Sequence, residues 1–213
     1  MSVKYKSFFR NNYIDVETAI DPDCSMLVNG VLIETDGFEC LSIESFKNYT
    51  KEQLKIFDCF INKYGSCMLI NYNLKVLIPV NVVEKNTGNN FCENIIIEIN
   101  NSDDNIIGKL RFLDYDTGNI CDVKSWDVFS AFDKLHGKIK QNFIVKICAF
   151  CKKSSYNPYG GIDFFSHLCF NECAEEFCKL DLKNKFTIGP LMNNNKGKFK
   201  NVSLTSSCNE YME

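Results

Sequence analysis

Two cysteines separated by two residues, Cys148-Ala-Phe-Cys151, are followed by Cys169 and by a late Cys208, and this set constrains the fold more than any other feature of the chain. Thiolates at that spacing grip one metal ion from a single tight turn, and a third returning after a 17-residue loop nearly completes a tetrahedral sulfur site. The expected ion is Zn2+ in a structural role. Four cysteines leave no open position for water, so the ion is expected to fix a loop region rather than to act as a Lewis acid.

Compartment decides how the twelve cysteines are read. Met1 to Tyr13 mixes Lys4, Lys6 and Arg10 among its aromatics, which is not the apolar run of a signal peptide, and no window approaches the roughly 18 apolar residues of a membrane span. The expectation is a cytoplasmic protein with no membrane partner, in which cysteines serve as thiols, metal ligands and small core residues. Cys24, Cys40, Cys59, Cys67, Cys92 and Cys121 are scattered and are assigned to core or surface. A net charge of −3 argues against general nucleic-acid binding.

The first hundred or so residues read as β. Tyr13–Ile20 alternates in period two, and the apolar run Ser25–Ile33 is broken by Asn29-Gly30, which favours a tight hairpin turn or a bulge. One helix is expected to interrupt them: Thr50 and Gln53 form a capping box, and Leu54, Phe57, Ile61 and Tyr64 follow at helical spacing until Gly65. Four strands are expected near 67–72, 74–84, 92–100 and 107–114, from their Ile, Val, Leu and Phe content. A second helix is expected from Ser125 to Leu135, stopped by Gly137, then a strand from Asn142 to Ala149 that delivers Cys148 and Cys151. A third helix is expected near Cys169 to Lys179, with Phe170, Cys173, Ala174 and Phe177 on one stripe. Lys183 to Asn201 reads as a solvated loop.

A redox role for Cys148 and Cys151 would want the pair opening a helix, but Lys152-Lys153-Ser154 leads into a turn with Pro158 and Gly160-Gly161. The fourth ligand is Cys173 or Cys208. Cys173 falls on the apolar stripe, where a buried thiol explains it, and this favours Cys208. His167 is a further candidate, with a packed imidazole as the competing explanation among Phe164, Phe165 and Leu168. Asp114-Tyr-Asp116-Thr-Gly118-Asn119 has carboxylates at alternate positions before a glycine, as in a calcium loop, but the glycine falls one place early and a turn is the simpler reading.

The block Cys148-x-x-Cys151-x-x-Ser154-x-Tyr156-x-Pro158-x-Gly160, then Cys169-Phe170 and Leu204-Thr-Ser-Ser-Cys208-Asn-Glu-Tyr211, resembles an uncharacterised bacterial family of unknown function. Gly30-Val31-Leu32-Ile33, Gly37-Phe38-Glu39 with Leu41, and Ile78-Pro79-Val80 share that likeness. Ser155 and Asn171 depart from the family pattern, which commonly has Asp and Arg there. The resemblance implies that the late cysteine partners the other three, and it implies no reaction.

Together these readings predict an α+β fold in a single domain spanning 1–213. It would hold a mainly antiparallel sheet or sandwich over 1–120, and a helix with a cysteine-rich, zinc-stapled part over 121–213. With no phosphate-cradling glycine loop, nucleophile elbow or metalloprotease helix, the expected function is non-enzymatic binding of another protein, of the immunity or antitoxin kind. The rival is an enzyme, a hydrolase or nucleic-acid-processing protein, with a site assembled from His136, His167 and the aspartates near 114–116.

Overall fold

The computed structural model describes residues 4–21, 25–36, 40–102, 105–113, 120–125, 128–156, 167–180, 188–202 and 211. Its contacts divide the chain into two compact units, Met1–Pro79 with Glu93–Lys138, and Val80–Cys92 with Ile139–Glu213. The fold is α+β and mainly antiparallel β, as composition and alternation predict.

In the first unit β1 (Tyr5–Arg10) pairs with β2 (Asp15–Ile20), and β3 (Ser25–Val28) with β4 (Val31–Asp36). The β3–β4 turn has Asn29 at φ 48° and Gly30 at φ 79°, the left-handed pair of a type I′ hairpin, so Asn-Gly sets this register locally. β5 (Cys40–Ile43), β6 (Cys59–Ile61) and β7 (Cys67–Leu69) continue one side, where the sheet order is β4-β5-β7-β6. On the other side lie the long strands β8 (Tyr72–Glu84) and β9 (Asn90–Ser102), of which residues 72–79 and 93–102 belong to this unit, then β10 (Asn105–Leu113) and β11 (Ile120–Ser125). Alternation is strict where it matters: Tyr72, Leu74, Val76 and Ile78 are buried on β8, and Ile95, Ile97 and Ile99 on β9.

The expected helix after Thr50 is cut short. Its capping box is present, with Gln53 N–H donating to Thr50 Oγ1 at 3.3 Å, but α1 covers only Lys51–Leu54. Cys59-Phe60-Ile61 instead pairs antiparallel with β7, and Gly65 (φ 85°) turns the hairpin while Asn62 Oδ1 accepts from the Tyr64 and Ser66 amides. Available strand partners outweigh helical spacing in so short a segment. The second helix, α2, spans Val128–Ile139 and runs through Gly137, because Ile139 is buried and a glycine costs a helix only about 1 kcal/mol.

In the second unit β12 (Phe143–Val145) pairs with Val82–Glu84, so the strand expected from Asn142 is present but short. β13 (Ser154–Tyr156), β14 (His167–Cys169) and β15 (Lys200–Val202) make a small antiparallel sheet. Cys169 therefore ends a strand and does not open a helix. After it, a 3-10 turn over Asn171–Cys173 leads into one helical turn, α3 (Ala174–Phe177). The stretch read as a solvated loop contains α4 (Ile188–Asn194), whose Ile188 and Leu191 pack with Leu168, Phe170, Cys173 and Phe177. The Phe170 and Phe177 rings stack at 4.3 Å and 8°. Buried Asn195 donates to Glu176 Oε2 at 2.7 Å, a tether that sequence pattern does not reveal.

Candidate metal centre

The Cys148–Cys151 turn follows β12 directly. Pairing of Val145 with Val82 and a bond from Lys146 N–H to Asn81 O at 3.2 Å hold the chain extended up to Ile147. Buried Ile147 and Phe150 then anchor a 3-10 turn, Cys148–Phe150, closed by Cys151 N–H on Cys148 O at 3.1 Å.

The hairpin β13–β14 presents its two faces differently. Leu168 enters the apolar cluster, so His167 and Cys169 share the opposite face. Ser154 is the register partner of Cys169 and belongs to that same face. Its hydroxyl joins the parts: it bonds Cys148 O, approaches Cys151 O at 3.0 Å, and lies 3.1 Å from His167 Nε2. Carbonyls can only accept, so the one hydroxyl proton goes to them and the imidazole must donate through Nε2–H. Nδ1 is then a bare acceptor, buried and without a hydrogen-bond partner among the described residues. Burial lowers the His167 pKa to about 4, so the ring is neutral.

A second tie reaches the same turn from the end of the chain. Tyr211 donates its hydroxyl proton to Phe150 O at 3.0 Å, across 61 residues. Phe150 lies between the two turn cysteines, and Cys208 precedes Tyr211 by three residues, a span of at most about 11 Å of chain.

Of the expected ligands, Cys148 is buried and Cys151 and Cys169 are half-buried, while Cys208 lies outside the described residues, as do Asp114–Asn119. Among the described residues, no three His, Cys, Asp or Glu side chains stand grouped as metal ligands. Cys173 behaves as a core thiol: its Sγ is 3.8 Å from Lys198 O, and burial, reinforced by the Glu176 carboxylate, pushes its pKa up. That disfavours the thiolate a metal requires. His136 sits half-buried on α2 in the first unit.

Cys59 and Cys67, scattered in the sequence, meet across the β6–β7 hairpin with their Sγ atoms 2.9 Å apart. Their spacing across Asn62 and Gly65 was the available signal. Burial, and then the Cys59 thiol, push the Cys67 pKa up to about 12.

No helix among the described residues is long and apolar enough to cross a membrane. Comparison of the chain with family models, with curated proteins and with solved structures finds no match.

Proposed function

We propose that this chain is a cytoplasmic, non-catalytic protein that binds another protein, of the immunity or antitoxin kind, and that a structural zinc ion staples its second unit. The observation that carries the binding reading is the last strand of the sheet order. On β6, Phe60 is 52 % and Ile61 61 % exposed, and Tyr64 in the adjoining turn is 80 % exposed. An edge strand offers unpaired backbone groups, and apolar side chains on it are a liability unless a partner covers them.

The zinc reading rests on Ser154 and Tyr211. Through them the Cys148–Cys151 turn meets the face that bears Cys169 and meets Tyr211, which follows Cys208 by three residues in the sequence. Cys148, Cys151, Cys169 and Cys208 would hold the ion, and metal–thiolate bonds would draw the side chains together. A four-sulfur shell supplies rigidity and no open site, in keeping with a binding protein.

Two experiments test the two parts. Elemental mass spectrometry should find one zinc per chain, lost together with thermal stability in Cys148→Ser and Cys208→Ser; metal-free protein of unchanged stability refutes the staple. A stoichiometric partner captured by the wild-type protein should be lost from Phe60→Asp and Ile61→Asp at unchanged thermal midpoint. Equal capture by these variants refutes β6 as the docking edge.

A further inference from the structure

The first unit carries a concavity of about 500 Å3 lined by Arg10, Asn73, Lys75, Glu98, Asn100 and Lys124. It involves none of the cysteines. The register explains how residues so far apart meet: Arg10 stands opposite Asn73 and Phe8 opposite Lys75, on the face away from buried Phe9, Leu74 and Val76. The Lys75 ammonium lies 6.0 Å from the centre of the Phe8 ring.

Charge on this wall is one-sided. Its single carboxylate, Glu98, is engaged by Arg111, with Nη2 3.4 Å from Oε2. Arg10 has only a loose pairing with Asp15 at 3.9 Å, both well exposed. Among the described residues, neither Lys75 nor Lys124 is in an ion pair. Lys75 and Lys124, without an acid partner among the described residues, thus converge with a loosely paired Arg10 in a chain whose net charge is −3. Like charges gathered in a concavity repel, and their field concentrates an anion there.

We propose that this concavity binds a small ligand bearing a diphosphate. A terminal phosphate carries about −1.5 to −2 charges, so two phosphates are needed to match three cations. Asn73 and Asn100 add amide donors that suit phosphate oxygens, and the space falls in the roughly 300–1,000 Å3 range of small-molecule sites. The aliphatic stems of Lys75 and Lys124 supply apolar surface for whatever the diphosphate is attached to.

Calorimetric titration with inorganic pyrophosphate in about 150 mM salt tests this, with citrate as a carboxylate of similar charge. The expected result is one site with Kd below about 1 mM, at least tenfold weaker binding in Lys75→Gln and in Lys124→Gln, a change under twofold in Lys196→Gln, and tenfold weaker citrate. In the wild-type protein, the side-chain amide NMR signals of Asn73 and Asn100 should shift on titration, a readout that needs no variant. Absence of binding, equal loss in Lys196→Gln, or citrate binding as tightly as pyrophosphate would overturn the proposal.

Discussion

Replacing Ser154 by alanine isolates the contact that joins the cysteine turn to the β13–β14 hairpin. The hydroxyl serves three groups, but they do not suffer equally. Cys148 O keeps the Cys151 amide at 3.1 Å, and Cys151 O keeps the Ser154 amide at 3.1 Å, so both carbonyls remain satisfied. The His167 Nε2–H loses the Ser154 oxygen and keeps only the Cys148 carbonyl, on a ring that is only 7 % exposed and whose Nδ1 already has no partner among the described residues. A donor that keeps one acceptor loses about the 0.5–1.5 kcal/mol of a typical hydrogen bond, less than the 1–3 kcal/mol of a buried group stripped of every partner. Ser154→Ala should therefore lower the unfolding free energy by about 1 kcal/mol in urea titrations followed by circular dichroism at 25 °C. Ser155→Ala, on the opposite face of β13, is the control and should stay within about 0.5 kcal/mol. A loss below about 0.5 kcal/mol in Ser154→Ala would refute the argument that the hydroxyl is an acceptor for a buried imidazole.

Four further outcomes follow from the same geometry. Phe177→Ala empties a fully buried position stacked on Phe170 and should cost about 3–5 kcal/mol, read as a shift of the urea midpoint. Ser7 is fully buried with its hydroxyl unpartnered among the described residues, so Ser7→Ala should be neutral or stabilising by up to about 1 kcal/mol in thermal melts. At pH 8, iodoacetamide should modify exposed Cys59 and spare Cys67, as peptide mass spectrometry will show; equal labelling contradicts the buried thiol. The Cys67 pKa is raised on folding, so its contribution is complete below the unfolded thiol value near 9 and is lost as pH rises toward about 12; Cys67→Val should flatten the fall in stability over that window.

Features written into neighbouring residues were legible. Asn29-Gly30 makes its hairpin because only those two residues need left-handed backbone, and the Thr50/Gln53 capping box forms because its partners are three residues apart. The Cys148–Cys151 turn belongs to this group, and so does the burial of Cys173 with Phe170 and Phe177. Where competing pairings existed, local spacing misled. Leu54, Phe57, Ile61 and Tyr64 fit a helix, yet β7 gave Cys59–Ile61 a ladder to join. Lys183 to Asn201 looked solvated by composition, although Ile188 and Leu191 found a core that residues 168–177 provide.

By itself, the sequence determined the strand-rich class, the local turns and the residue types able to hold zinc, since backbone dihedral preference and two-residue periodicity act over a few positions. Tertiary structure alone decided which face His167 and Cys169 share, that Tyr211 returns to Phe150, and that Arg10, Lys75 and Lys124 surround one concavity. The reason is register: a shift of one residue in any strand sends every side chain to the other face, and that choice is made by pairing and burial summed over the sheet, not by any segment of the chain.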